Sequence, residues 1–327
     1  MIDKVERILK EKGNLIEEAI EKAIPKDGIQ NLNDAIWYHI GTGGKRIRPV
    51  LAILTCEALG GDIHKVMPFA ASCEILHNWL LVHDDIEDGD EVRRDQPSVW
   101  VKYGIEHGIN IGDYMSEKVY ELIMFSDLDE KKKISLLKEA VDTCLRTAEG
   151  QSMEMNLRMN DSPSESDYMK MVEGKTAYYL TLPMVGGAVV ADKEGLTEKI
   201  REFGMKVGPA FQMADDLLDL TEGKGRGDIG SDIREGKRSI MVVHCASKCN
   251  EDEKKRMFEI LNKKREKTRK EDVLSLKKLF EKYGSLEYAK NKAKSLIEES
   301  KKITSGMPKE LREILDQFAE YLVERKK

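Results

Sequence analysis

The chain has 327 residues, 40% of them hydrophobic and 35% charged, with a formal net charge of -6. That length can bury a sizeable core in one large or two ordinary domains, while Lys, Arg, Asp and Glu are spread evenly and form no basic stripe, which argues against nucleic acid as a partner. No apolar run approaches the roughly 20 residues that span a bilayer, and the start, MIDKVERILKEKG, is charged and amphipathic rather than a secretory leader, so a cytoplasmic protein without a membrane span is expected.

In chain order, apolar residues first recur at three- and four-residue spacing, at Ile2, Val5, Ile8 and Leu9 and then at Leu15, Ile16, Ala19 and Ile20. That is helix period. Glycines punctuate GTGGKRIRP (41–49) and LGGD (59–62), after which an apolar stretch runs into LLVHDDIEDGDEVRRD (80–95), with six acids in the eight positions 84–91. None of the eight prolines lies between Pro97 and Pro163, and sustained two-residue alternation with Asn-Gly or Asp-Gly turns is missing, so strands are not expected. GQ (150–151), EGKTA (173–177), VGPAFQMADDLLDL (207–220) and GSDIREGKRS (230–239) follow; from about Asn250 the chain is rich in Lys and Glu, the pattern of solvated helical faces. The spacing predicts an all-α chain, and no Ser/Pro-rich linker divides it, so residues 1–327 read as a single domain.

The five cysteines are odd in number and lack a CxxC pair. Cys245 and Cys249 beside His244 hint at a metal site but have no second ligand pair, so all five read as buried or surface thiols.

One pattern recurs, Asp84-Asp85-Ile86-Glu87-Asp88 and Asp215-Asp216-Leu217-Leu218-Asp219, both of the form DDxxD. On a helix, positions i and i+4 share a face, so Asp84 with Asp88, and Asp215 with Asp219, set carboxylates side by side. Unanswered, they repel; the second set lies in an otherwise apolar helix, where solvation is a poor explanation for three acids. Carboxylates without His or Cys select hard cations. Magnesium fits best, because it keeps part of its hydration and bridges one or two carboxylates to substrate phosphates. Cations suited to phosphate oxygens stand nearby in the sequence: Lys45, Arg46 and Arg48, Arg93 and Arg94, Lys175, and Lys237 with Arg238. Each alone is an ordinary surface cation; together with two DDxxD helices they point to a diphosphate substrate. Glu87, Asp90 and Glu91 read as solvated positions at a helix end.

The ordered set GGKRIRP (43–49), EILHNWLLVHDDIEDGDEVRR (74–94), GQ, GKT (174–176), FQMADDLLD (211–219) and GSDIREGKRS resembles the trans-isoprenyl diphosphate synthases of the polyprenyl synthetase type, most of all a short-chain geranylgeranyl diphosphate synthase. The resemblance covers nearly the whole chain. It implies a bundle of long antiparallel helices around a deep central cavity, with the acid motifs facing each other across its mouth, packed as a homodimer. It further implies that Lys45, Arg48, His77 and Arg94 hold isopentenyl diphosphate. Arg93, Lys175, Gln212 and Lys237 then grip an allylic diphosphate, with Thr176 nearby. Asp84, Asp88, Asp215 and Asp219 hold magnesium, three ions per active site, with Asp85 and Asp216 as water-mediated partners. Asp84, Asp88, Asp215, Lys175 and Lys237 carry the catalysis, since they stabilise the departing diphosphate. In the family a bulky residue upstream of the first motif floors the cavity, and Trp79 stands five positions before Asp84, implying a C20 product. On an ideal wheel Trp79 lies about 140° from Asp84, whereas Leu80, Leu76 and Cys73 lie more nearly beneath it.

Alternatives are a farnesyl (C15) or geranylfarnesyl (C25) diphosphate synthase, or, from another class, a non-catalytic subunit of a heteromeric synthase. A terpene cyclase shares the ionisation chemistry but needs no isopentenyl diphosphate site. Glu74-x-x-His77 matches half of a di-iron signature, and the second half is missing. Two positions depart from the family pattern: Gly227 stands where a Gly-Lys lysine is usual, with Lys224 or Arg226 as substitutes, and Asp95 stands where a glycine usually follows the paired arginines.

Overall fold

A computed structural model describes residues 2–221 and 229–324. The chain forms two compact units, neither of them a continuous segment: Met1–Thr143, Leu180–Arg201 and Thr304–Phe318 make the first, and Cys144–Tyr179, Glu202–Ile303 and Ala319–Lys327 the second.

The first unit begins with α1 (Ile2–Ala23), α2 (Asn33–Gly41), α3 (Ile47–Ala58) and α4 (Ile63–Glu87), and α4 packs against α1 and α3. Asp62 caps α4 by accepting from the His64 amide over 2.9 Å, which satisfies one of the donors orphaned at a helix start. Residues on every side of α4 are buried, among them Phe69, Ala71, Cys73, Ile75, Leu76 and Val82. A helix apolar all round belongs in a core, and each such side chain contributes about 1.5–3 kcal/mol on burial. The end of α4 is set by Gly89, which lies at φ 66°. Its amide bonds to Ile86 O and the Asp90 amide to Asp85 O. This is the paired closure of a Schellman turn, where glycine takes the left-handed position at least cost.

A two-residue ladder follows, β1 (Val92–Arg93) with β2 (Gln96–Pro97), in antiparallel register with Val92 opposite Pro97. Residue spacing does not announce this hairpin, whose turn residues Arg94 and Asp95 both have positive φ, 53° and 61°. Two such residues make the turn that suits a tight hairpin, and the second is where the family pattern has glycine. Next come α5 (Val99–Tyr103), α6 (Ile105–Met124), which packs along α4, and α7 (Glu130–Leu157), within which the first unit gives way to the second.

In the second unit α8 (Glu165–Val172) opens with a capping box of Ser164 and Asp167 and runs into one turn of π-helix, Glu173–Ala177. Such wide turns concentrate at functional sites, and this one holds Lys175 and Thr176. It continues into α9 (Tyr178–Val190), which from Leu180 belongs to the first unit, then α10 (Thr197–Thr221), which returns to the second unit at Glu202, α11 (Ser231–Arg234), α12 (Ile240–Lys248), α13 (Glu251–Leu261), α14 (Lys270–Lys282), α15 (Ser285–Thr304) and α16 (Lys309–Glu324), whose residues up to Phe318 belong to the first unit. The Lys- and Glu-rich stretch after Asn250 is thus helical, as its periodicity predicts. All five cysteines are free thiols. No helix among the described residues is long and apolar enough to cross a membrane.

Candidate active site

In the first unit the acids of residues 84–91 divide into two kinds. Glu87 and Glu91 are solvent-exposed. Asp85 and Asp90 are fully buried, so the expectation that Asp90 is solvated is wrong: the Schellman turn folds it back inward. Arg93, on β1, holds this buried charge. Its Nε donates to Asp85 Oδ1 over 2.8 Å, its Nη2 also bonds to Asp85, and Nη2 lies 3.5 Å from Asp90 and 3.8 Å from Asp84. One guanidinium therefore faces three carboxylates. Asp84, on the last turn of α4, and Asp88, its C-cap, complete a donor set of oxygen alone, which fits a hard divalent cation.

The GGKRIRP loop is organised by Arg46, which sits at φ 51°. Arg46 Nη1 donates to Gly43 O and to the buried Glu74, and Nη2 to Ile40 O and Glu17, all within 3.0–3.1 Å. Arg46 is thereby a scaffold for the loop rather than a phosphate ligand. Arg94 donates to Gly43 O and to Thr42, pinching the loop from the hairpin side. Burial, with Arg46 and Arg93 close by, pulls Arg94 down to about 10, against Glu74 and Asp85, which raise it. His77 is held well below its ordinary value by burial and by Arg48 and Arg94. His39 is lowered to about 3 by burial and then by Arg94, Arg93 and Arg46. Beyond burial, the guanidinium groups of Arg93 and Arg94 thus lie close enough to both imidazoles to disfavour their charged forms, and guanidinium groups are apt partners for a phosphate. Lys45 reaches Glu6 at 3.5 Å on the surface.

In the second unit, the motif on α10 is held by a relay. Thr176 Oγ1 donates to Gln212 Oε1, Gln212 Nε2 to Asp216 Oδ1, and the buried Tyr168 hydroxyl to Asp216 Oδ2, each over 2.9 Å. Asp219 accepts from the Ser231 amide and hydroxyl with one oxygen and from the Asp232 amide with the other. It thereby anchors the start of α11 and the GSDIREGKRS segment. Asp215 is half-buried on the same turn. Sequence reasoning missed Glu154. Lys175 Nζ lies 3.1 Å from Glu154 Oε2, Lys237 Nζ 3.9 Å and Arg158 Nη2 2.6 Å from Oε1. Lys237 also lies 2.5 Å from Glu235, which is buried, and 3.6 Å from Asp232. Two lysines far apart in sequence thus converge on one carboxylate. Gly150 makes this possible, because a Cβ there would collide with the Lys175 backbone nitrogen. The only hint was the GQ pair at 150–151.

Arg238 is fully buried and bonds to Asn160 O, Gly236 O and Asn262, so it is structural. His244 turns to Ser285 and stacks on Tyr288, away from any metal role with the cysteines. Trp79 is half-buried, donates to His83 Nδ1 over 3.3 Å and meets that ring edge-on. Leu76 is buried and Leu80 half-buried. Lys224, Arg226 and Gly227 lie outside the described residues.

Oxygen-only carboxylate sets with clustered guanidinium and ammonium groups, carried almost wholly on helices among the described residues, are the groups that metal-assisted handling of phosphates calls on. The chain belongs to the polyprenyl synthetase family, whose model matches residues 29–279. It is 34% identical to a geranylgeranyl pyrophosphate synthase of Geoglobus acetivorans over 98% of this chain and 99% of the relative. It is 37% identical to a short chain isoprenyl diphosphate synthase of Methanocaldococcus jannaschii over 95% and 93% of the two chains. Among solved structures, geranylgeranyl pyrophosphate synthetase from Pyrococcus horikoshii superposes with a TM-score of 0.90 at 33% identity, covering 99% of both chains.

Proposed function

We propose that the chain is a short-chain prenyltransferase that joins isopentenyl diphosphate to an allylic diphosphate, with geranylgeranyl diphosphate (C20) as its main product and the whole chain acting as one synthase domain. The convergence of Lys175 and Lys237 on Glu154 carries this reading: one carboxylate gathers two ammonium groups, the kind of cation that diphosphate oxygens take as partners. Family membership and the names of the relatives support the substrate class and the product.

The proposed roles follow the motifs. Lys45, Arg48, His77 and Arg94 hold isopentenyl diphosphate, and Arg93, Lys175, Gln212, Lys237 and Thr176 the allylic partner. Asp84, Asp88, Asp215 and Asp219 hold magnesium, three ions per active site, with Asp85 and Asp216 orienting the ligands; the bound ions supply charge stabilisation for the departing diphosphate. The chain's own cations add to that stabilisation. As the allylic carbon–oxygen bond breaks, its electron pair leaves on the diphosphate, and preplaced Lys and Arg groups stabilise the developing charge. The double bond of isopentenyl diphosphate then forms the new carbon–carbon bond to the allylic cation, and a proton departs to the released diphosphate. Apolar walls exclude water from the cation. A homodimer is part of the proposal, supported by exposed apolar residues Val101, Ile105 and Ile109 at four-residue spacing on α5 and α6, and Ile134 and Val141 on α7.

Incubation of purified protein with labelled isopentenyl diphosphate and, separately, dimethylallyl, geranyl and farnesyl diphosphate tests the reading. A C20 product abolished by chelator is expected; a C15 or C25 product keeps the chemistry and changes the length, and no product favours a non-catalytic subunit.

A further inference from the structure

Apart from the aspartate motifs, the second unit holds a cleft of about 600 Å3, walled by the start of α8, the end of α12, α13 and α15. Ser162, Glu165, His244, Lys248, Lys254 and Tyr288 line it. Its volume is that of an ordinary small-molecule site.

The charge of the lining is one-sided. Glu165, the acid of the cleft, is already answered: it accepts from the Tyr288 hydroxyl over 2.5 Å and from Lys292 Nζ over 2.9 Å, and these two partners hold its carboxyl below the usual range. Lys248 and Lys254 form no ion pair among the described residues. Lys248 is close enough to His244 to depress the imidazole further after burial has done so.

One wall of the cleft is built from side chains that hold one another. The His244 and Tyr288 rings stack at 4.1 Å and 17°, with Nδ1 of His244 fixed 3.0 Å from Ser285 Oγ. Two ammonium groups and an imidazole beside this wall suit an anion with several oxygens rather than a cation or an apolar ligand.

We infer that this cleft is a second binding site, for a small anion that carries a diphosphate group. The choice of diphosphate rests on the proposed function, in which both substrates carry that group and each turnover releases it; the cleft's affinity for a phosphate-bearing anion rests on the lining alone. The diphosphate comes from free inorganic diphosphate or from the head of a prenyl substrate. One turn along α8 from the cleft, Tyr168 holds Asp216, so the occupant would lie on the same short helix as a partner of the second aspartate motif.

The test follows the His244 side-chain resonance by NMR as inorganic diphosphate, and in a parallel arm isopentenyl diphosphate, is added to the full chain with chelator present. A His244→Gln variant assigns the signal among the six histidines. A saturable shift is expected, with half-saturation raised at least tenfold in Lys248→Ala/Lys254→Ala, and prenyl transfer by that variant unchanged. The arm that saturates at the lower concentration identifies the source. Absence of a saturable shift, or an equal response in the double variant, overturns the inference. The shift and its half-saturation do not depend on turnover, so failure of the enzyme assay and failure of the cleft are separate results.

Discussion

The Tyr168 hydroxyl donates to Asp216 Oδ2 over 2.9 Å within the second unit, and the phenol is buried. Burial, then the charge of Asp216, pushes the phenol well above its ordinary value, so it remains a donor at any working pH. The second carboxylate of the DDxxD motif is therefore oriented from α8. Removing a hydrogen bond to a charged group costs about 1.5–3 kcal/mol. Tyr168→Phe should lower turnover roughly 10- to 100-fold and raise the magnesium concentration needed for half-maximal rate, with the melting temperature little changed. A magnesium titration of the initial rate checks this; an unaltered titration curve would deny Tyr168 its positioning role.

Asp84 and Asp215 occupy matching places in the two motifs. Asp84→Ala or Asp215→Ala should reduce prenyl transfer by several orders of magnitude while far-UV circular dichroism stays that of the folded chain. Near-normal turnover in either variant would sink the metal assignment.

Arg46 and Glu74 form a buried pair at 3.1 Å, and both are more than nine-tenths covered. Breaking such a pair leaves a buried charge unanswered, at about 3–5 kcal/mol. Arg46→Ala should lose that much in urea unfolding, whereas Lys45→Ala, whose surface partner is Glu6, should lose less than about 1 kcal/mol. Equal losses in the two neighbours would show that the loop is not held from Arg46.

His39 and His77 are neutral in the folded chain, His39 with a value near 3 and His77 well below 6.5. Below about pH 6.5 the unfolded chain binds protons that the folded chain does not, so stability falls with falling pH, from about 6.5 down to about 3 for His39. Each histidine contributes a slope of up to about 1.4 kcal/mol per pH unit. Urea unfolding between about pH 7 and pH 4 measures it, and His39→Asn should flatten the curve; an unchanged slope in that variant would rule out His39 as a source.

Trp79 is anchored through His83, whose Nε2 lies 3.2 Å from Ile109 O on α6. A ring so fixed can act as a firm barrier, and Trp79→Ala should lengthen the product from C20 to C25 or beyond, read by chromatography of the dephosphorylated alcohols. An unchanged length would move the floor to Leu80 or Leu76, which the helix repeat places more nearly beneath Asp84.

The helices and the acid motifs could be read directly, because a three- and four-residue period and an i, i+4 carboxylate pair are local facts of the chain. The error at Asp90 has a local cause of another kind: six acids within eight positions look solvated, and only the left-handed turn at Gly89 shows that the chain doubles back and buries one of them. The hairpin at Val92–Pro97 escaped notice because its turn, Arg94 and Asp95, lacks the glycine or asparagine that usually marks positive φ.

By itself the sequence determined the helical class, the two DDxxD sets with their preference for a hard cation, and the order of motifs that places the chain in its family. The tertiary structure decided which charges answer one another. Glu154 with Lys175 and Lys237, Arg93 with Asp85 and Asp90, Arg46 with Glu74, and Tyr168 with Asp216 are pairings whose sequence separations range from three to 83 residues. A Coulomb or hydrogen-bond partner is chosen by distance in space and by the loss of competing water on burial, and neither quantity is written in the order of residues along the chain.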